Sequence, residues 1–193
     1  MLDHVFTDAI GALRDAFELA RLERQAFEER FQSDVLLGDV SWQTSYGLPG
    51  EGLPPRVQAD IACTWPTWSQ TAYRSWYVDE DFTEPPRIEI EIVFRRQRLS
   101  AAPDPKVVLD ALPLDSPAIG REALTRSGPT VESIYGDDLS DPEYAIEVGY
   151  EGSYELNEAR LEDGASLDDD FGGLGGWIAS TLVQVGDVAL AER

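Results

Sequence analysis

One stretch in the middle of the chain constrains the fold most. Within residues 87–98 apolar side chains occupy every second position from Ile88 to Phe94, as in the sequence Ile-Glu-Ile-Glu-Ile of residues 88–92. Side chains of a β-strand point alternately to opposite faces of the sheet, so this period of two predicts a strand with one apolar and one polar face. Such a strand needs hydrogen-bonded neighbours and a cover over its apolar face.

Other segments share this period or lie between turn-forming residues. They are the predicted strands 34–46, 57–65, 71–78, 131–135 and 144–156. The first three of these strands and residues 87–98 follow one another through turn-like connectors, such as the Gly- and Pro-rich residues 47–55, which predicts an antiparallel meander. The last two strands predict a smaller C-terminal β-hairpin.

A long helix is predicted before the meander, over residues 4–31. Its apolar residues are spaced alternately four and three apart, with one break at Arg24, which places them on one side of a helix. We expect this side to pack lengthwise on the sheet; packing against a neighbouring subunit is the alternative. The residues that carry the pattern are Phe6, Ile10, Leu13, Phe17, Ala20, Phe27 and Phe31.

Two later helices are less strongly marked. Residues 116–126 are compatible with a short helix between prolines, and residues 174–190 favour a helix over a strand. The elements together predict an α+β protein of one domain, in keeping with a length of 193 residues. Residues 1–156 are expected to form this α+β domain, and residues 157–193 an acidic loop plus a C-terminal helical extension.

The net charge of the chain indicates which partners and which solvent it is suited to. There are 37 Asp and Glu residues against 15 Lys and Arg, a net charge of −22, and Lys106 is the single lysine. Phosphate binding needs a basic surface, so the charge argues against direct contact with nucleic acid or with an anionic membrane. Self-repulsion of this size is screened in molar salt. The composition therefore favours a protein of a halophilic archaeon or its virus, with a high-GC bacterium as the alternative.

No targeting or membrane-spanning segment is predicted. The N-terminal residues lack a basic region followed by an apolar run, and residues 171–191 are interrupted by four glycines in their first third. We therefore expect a soluble protein.

The sequence contains few residues of the types that catalysis and zinc binding usually require. One histidine, His4, and one cysteine, Cys63, leave no disulfide, no Cys/His zinc site, and no catalytic triad unless His4 serves it. The acidic run 168–170, near Asp163, could ligate Ca²⁺ or Mg²⁺, but in so acidic a chain a hydrated surface is the favoured interpretation. We predict no enzyme activity, no metal and no cofactor.

The glycine-rich run 172–176 invites comparison with phosphate-binding loops. It lacks the Gly-Lys-Ser/Thr ending of a P-loop and the spacing of a dinucleotide-binding loop. A flexible hinge is predicted instead.

Large aromatic residues and a short run of arginines stand out from the acidic background. Trp and Tyr are enriched at the energetically dominant positions of protein interfaces, and arginines pair with acidic surfaces. For the aromatic residues the alternatives are the core or a small-ligand site, and for the arginines ion pairs within the chain. The predicted interface residues are Trp65, Trp68, Tyr73, Trp76, Tyr77, Arg95, Arg96 and Arg98.

The order of elements resembles a known family. The strand at residues 87–94, the segment 116–123 and the later strand 144–150 follow a long N-terminal helix, as in the tail terminator (tail completion, or neck) proteins of long-tailed viruses. The resemblance covers residues 1–156 and implies a small α+β ring-forming protein without catalytic residues. The aromatic residues 65–77 and the segment after residue 157 depart from the family's layout. Residues 1–99 also resemble the small domains that accompany trypsin-like proteases in bacterial conflict systems.

These observations lead to one expected function and one alternative. The first is a non-enzymatic, self-assembling virion component of the tail or neck of a halophilic archaeal virus, assembled in the host cytoplasm. Its partners would be copies of itself, in a ring or other homo-oligomer, and other virion proteins. The alternative is a cytoplasmic adaptor module that binds a protein or a small ligand.

Overall fold

The computed structural model describes residues 2–19, 27–36, 38–49, 54–136, 141–156 and 164–193. Within these ranges the chain is an α+β protein with one antiparallel sheet of eight strands. In chain order the elements are α1 (Leu2–Leu19), β1 (Phe27–Leu36), β2 (Asp39–Gly47), β3 (Val57–Trp65), α2 (Thr67–Tyr77), β4 (Arg87–Leu99), α3 (Pro105–Ala111), β5 (Asp115–Ile119), β6 (Glu122–Arg126), β7 (Thr130–Ile134), β8 (Glu143–Glu155) and α4 (Gly164–Asp187).

The sheet begins as the predicted meander. Strands β1 to β4 are adjacent in sequence order, and the full order is β1-β2-β3-β4-β8-β6-β5, with β7 paired to the first half of β8. The predicted C-terminal hairpin is the β7–β8 pair. Strand β4 occupies the centre, and β3 and β8 lie on either side of it.

Alternation along β3 and β4 sets the two faces of the sheet. Ile61 on β3 and Ile92 on β4 are in register and buried, whereas Glu89 and Glu91 are exposed. The residues 88–92 that predicted a half-buried strand therefore form one, at the centre of the sheet. The buried face is covered by α1 and α4, and the other face is open to solvent across β2, β3 and β4.

The predicted helix 4–31 is correct only in its first part. Helix α1 covers Leu2–Leu19 and buries Phe6, Leu13 and Phe17, whereas residues 27–36 form strand β1, paired with β2. Residues 20–26 lie outside the described part. The prediction failed because Phe27 and Phe31 are four residues apart, and four is both a multiple of the strand period and close to one helical turn.

The predicted strand 34–46 is instead parts of two strands. Strands β1 and β2 form a hairpin in which Leu36 pairs with Asp39. Gly38 in the turn has a φ of +93°, a conformation that favours glycine. The sequence pattern did not indicate this turn, because apolar and polar residues are mixed in the same way in both strands.

The predicted strand 71–78 is wrong: these residues belong mainly to helix α2. Of its buried residues, Ala72 and Tyr73 follow Ser69 by three and four positions, as one side of a helix requires. Aromatic and β-branched residues raised the strand propensity of this segment, but packing of one helical side against β3 and β4 overrides such preferences.

The second half of the chain holds one further correction. The possible helix 116–126 is a hairpin of β5 and β6, whose turn contains Gly120 with a φ of +69°. Helix α3, which the sequence pattern did not predict, precedes it and begins with the Asp104 carboxylate accepting a hydrogen bond from the Lys106 backbone N–H at 3.0 Å. The C-terminal helix is confirmed as α4.

Helix α4 belongs to the same hydrophobic core as the sheet. Phe171, Leu174, Ile178 and Leu182 are buried in it. The segment expected as an acidic loop and a helical extension thus contributes a core helix from residue 164 onward, while residues 157–163 lie outside the described part. The run 172–176 is not a hinge, because it lies within α4.

Candidate interaction surface

Helix α2 is fixed to the sheet through one buried serine. The Ser69 hydroxyl donates to the Arg87 carbonyl oxygen at 2.6 Å and accepts from the Arg87 backbone N–H at 2.7 Å. It also accepts from the Trp65 indole N–H at 3.0 Å. These bonds join the end of β3, the first turn of α2 and the start of β4. They therefore hold the start of α2 against the ends of the two strands that it connects.

Both ends of α2 are closed by specific contacts. At the start, the Asp39 carboxylate accepts from the Thr67 backbone N–H at 2.6 Å and from its hydroxyl at 2.8 Å. These hydrogen bonds hold the pKa of Asp39 below its ordinary value. At the end, Asp79 has a φ of +55°, and its N–H and that of Glu80 return to helix carbonyls in a Schellman turn.

The five predicted aromatic interface residues divide between core and surface. Trp65 and Tyr73 are buried, with ring centroids 5.7 Å apart in an edge-to-face arrangement. Burial raises the pKa of Tyr73, and the neighbouring Tyr77 adds to the increase. Trp76 is partly buried against the same cluster, whereas Trp68 is 38 % and Tyr77 62 % exposed.

The exposed residues lie on two sides of α2. Trp68 and Tyr77 are nine residues apart, which is two and a half helical turns, so they point in opposite directions. Trp68 shares its side with Thr71, Ser75 and Val78, and we call these four residues the α2 stripe. Val78 is 59 % exposed.

A cleft of about 530 Å³ is lined by three of the stripe residues, Trp68, Thr71 and Ser75. Its second wall is the loop that returns to β4, which brings Phe82, 42 % exposed, to the cleft. The Arg87 guanidinium lies over the Trp68 ring, with Cζ 4.8 Å from the centroid, and Glu84 is 3.5 Å from Arg87. The arrangement combines exposed aromatic rings, hydroxyl groups and charges of both signs, which are the components of protein interfaces.

The three predicted arginines do not form one patch. Arg95 lies on the open face of the sheet and forms ion pairs with Glu147 and, at 3.0 Å, with Glu132. Arg96 points to the opposite face, where it is buried and forms an ion pair with Glu192. Arg98, in a β-bulge with a φ of +61°, is partly buried. Strand alternation separates neighbours in sequence, and the pairs of Arg95 and Arg96 are within the chain.

The open face of the sheet carries a shallow trough of about 640 Å³. Asp60 lies in it and accepts hydrogen bonds from the Ser45 hydroxyl and, at 2.7 Å, from the Gln58 side chain. Next to it Glu91 stands directly opposite Glu151 in the register of β4 and β8. Like charges placed opposite each other are destabilising in dilute buffer, and both side chains are exposed to screening ions. This face has the character of a hydrated acidic surface.

Metal ligands are not assembled in the part of the chain that the structure describes. No group of three or more His, Cys, Asp or Glu side chains there is arranged to hold a metal ion. Of the acidic run, Asp168 and Asp169 are exposed on α4, and Asp170 accepts from the Tyr154 hydroxyl at 3.0 Å. Asp163 lies outside the described residues.

Comparison of the chain with protein-family models, with curated proteins and with solved structures found no match. Among the described helices, none combines the length and the apolar character needed to cross a bilayer.

Sequence reasoning missed part of this surface. Val78 and Phe82 were not among the predicted interface residues, and Arg87 was assigned only to a strand. A strand assignment over 71–78 conceals the stripe, because its members come together only at a helical spacing. The repeated three–four–three spacing of residues 68, 71, 75 and 78 is the signal that would have found it.

Proposed function

We propose that this protein is a non-enzymatic structural subunit that assembles with copies of itself, in the tail or neck of a virion of a halophilic archaeal virus. The observation that carries self-assembly is the exposure of Trp68 and Phe82 around one cleft, with the exposed Val78 at the end of the same stripe. In a chain that buries most of its large apolar residues, a grouped set of this kind is typical of an interaction surface.

The virion assignment draws on the layout of elements and the composition. A long N-terminal helix on an antiparallel meander is the arrangement of the tail terminator proteins that the sequence resembles. A net charge of −22 with a single lysine suits assembly in molar salt, where repulsion between subunits is screened. Other virion proteins are the expected second class of partner.

Mass measurement by sedimentation tests the proposal. In about 1 M KCl, where the screening length is about 3 Å, we expect a homo-oligomer. Replacing Trp68 and Phe82 by serine should weaken association at least about tenfold, because truncating a hot-spot aromatic residue of an interface costs about 2 kcal/mol or more. Serine at Val107 and Leu114, which are also exposed but lie on and after α3, is the matched control. A wild-type protein that stays monomeric at all KCl concentrations contradicts self-assembly.

Salt dependence of stability is a separate test of the halophilic origin. The melting temperature should rise between low salt and molar KCl, because screening removes repulsion among the acidic side chains. A melting temperature that is unchanged over this range would count against salt adaptation without bearing on the interface.

The cleft also favours a second candidate, a cytoplasmic binding module for a peptide or a small ligand. Its volume of about 530 Å³ is in the range of small-molecule sites, and Trp68 with Arg87 would contact an occupant. A monomer whose tryptophan fluorescence changes on ligand addition, with the change lost in Trp68→Phe, would support this alternative over assembly.

A further inference from the structure

The α2 stripe has the residue spacing that pairs two helices. Trp68, Thr71, Ser75 and Val78 follow one another at intervals of three, four and three, and cover about 15 Å of one helical side. The two middle residues are small and the two end residues are large. A second helix can therefore approach closely at the middle of the stripe.

Charges near the stripe distinguish its two ends. Arg87 stacks on Trp68 at the start of α2 and is accompanied by Glu84. At the other end the Schellman turn leads into three consecutive acidic residues, 79–81, with Arg74 in the preceding turn. The N-terminal end thus carries Arg87 with two carboxylates, those of Glu84 and Asp39, whereas the C-terminal end carries Arg74 with three carboxylates and so has the larger excess of negative charge.

This polarity selects one relative orientation for two copies. If two α2 helices pack antiparallel, Arg87 of each copy lies near the acidic residues 79–81 of the other, and Trp68 lies near Val78. A parallel pair would place the two acidic ends together. The helix dipoles add to the preference, because opposite ends then adjoin. An antiparallel pair related by a twofold axis is also self-complementary, as an isologous interface must be.

We propose that the α2 stripe is a twofold contact between two copies of this chain, with Arg87 of each copy paired to the acidic end of the partner's α2. The inference rests on the proposed self-assembly and adds its symmetry and its partner surface. One such contact joins two subunits. A larger ring then requires a second, different surface.

Charge reversal tests the contact through complementation. Arg87→Glu alone and Glu80→Arg alone should each weaken dimer formation at least about tenfold. An equimolar mixture of the two variants should form dimers again, as should the double variant R87E/E80R, because each contact then regains opposite charges. The mixture carries the same total charge as two wild-type copies, so general repulsion does not explain its recovery.

Charge-reversal variants at other exposed sites show whether a loss of dimer formation is specific to the α2 stripe. Arg121→Glu in the turn between β5 and β6 and Asp110→Arg on α3 change the net charge by the same amounts at exposed sites away from α2. Circular dichroism checks that each variant is folded, and sedimentation in the lowest KCl concentration that keeps the wild type associated gives the mass. Val78→Glu, at an exposed position after the last residue of α2, should disrupt the dimer without disturbing the core.

Three results would overturn the inference. Oligomers unaffected by R87E, E80R and V78E would place self-assembly on another surface and leave the proposed function standing. Failure of both the mixture and the double variant R87E/E80R to regain association would contradict the antiparallel twofold pairing. A wild-type monomer would overturn this contact and the proposed self-assembly together.

Discussion

The backbones of helices α4 and α1 touch at Gly175 and Leu13. A β-carbon on residue 175 would lie 2.3 Å from the carbonyl oxygen of Leu13 and 3.2 Å from the backbone nitrogen of Phe17. No real β-carbon approaches a backbone atom so closely. The glycine is therefore what allows the two helices to cross at this distance over the sheet.

Gly175→Ala should consequently destabilise the protein. Because the obstacle is backbone, the helices must move apart, and we expect a loss of about 1–3 kcal/mol in the free energy of unfolding. Gly173→Ala in the same helix is the matched control: it is exposed and has open space around it. That substitution should stabilise by about 1 kcal/mol through helix propensity alone. Denaturant unfolding of both variants measures the difference, and equal effects would contradict the close crossing.

The contact between Asp39 and Thr67 should make stability depend on pH. The folded pKa of Asp39 is lowered, first by the Thr67 backbone hydrogen bond, so its contribution is complete above the ordinary value of 3.8 and is lost as pH falls through the folded pKa. Asp39→Asn should therefore lower the melting temperature at neutral pH. The difference from wild type should shrink as pH falls below 3.8.

A matched substitution separates this contact from the general effect of removing charge. Asp8→Asn changes an exposed carboxylate on α1. If the stabilities of the two variants depend on pH in the same way, the Asp39 hydrogen bonds do not make the predicted pH-dependent contribution to stability.

The ion pair between Glu192 and Arg96 should hold the C-terminal residues to the sheet. The Glu192 carboxylate also accepts from Arg56, and its backbone forms a bridge with Leu99 at the end of β4. Glu192→Gln removes the charge facing a buried guanidinium and should cost about 1–3 kcal/mol. Glu122→Gln, at an exposed site on β6, should change stability by less than about 0.5 kcal/mol. Thermal melts at one KCl concentration compare the two, and similar values would refute a structural role for the pair.

Cys63 should be unreactive in the folded protein. It is the single cysteine, it is fully buried on β3, and burial raises its pKa to about 12. Since the thiolate is the reactive form, a disulfide reagent at neutral pH should label the chain only as fast as it unfolds. Labelling followed by absorbance should reach one thiol per chain in denaturant. Rapid labelling in molar KCl, where we expect the fold to be most stable, would contradict the burial of this residue.

Sequence alone predicted the strands in which alternation is strict. Strand β3 has its predicted bounds, and β4 ends one residue beyond its predicted end. Both were recognised because apolar residues at every second position form a strand with one buried face. The N-terminal helix was predicted where Phe6, Leu13 and Phe17 repeat at helical spacing. It failed beyond residue 19, where a spacing of four fits a strand equally well.

The candidate surface depended on contacts between distant parts of the chain. Helix α2 is held by Ser69 to Arg87 and by Thr67 to Asp39, pairs separated by 18 and 28 residues, which a local pattern does not register. The aromatic residues were recognised as a group, and Trp65 is buried by the alternation of β3. Only the orientation of helix α2 decides that Tyr73 is buried and Trp68 exposed.

What the sequence by itself determined is the class of fold, strands that alternate and a helix that covers them, together with a net charge of −22. These follow from short-range periodicity and from composition. Only the tertiary structure decided which arginines are paired, why residue 175 is glycine and where the α2 stripe lies. Each of these depends on which side a residue presents to a neighbour far away in the chain, and packing, not local preference, sets that side.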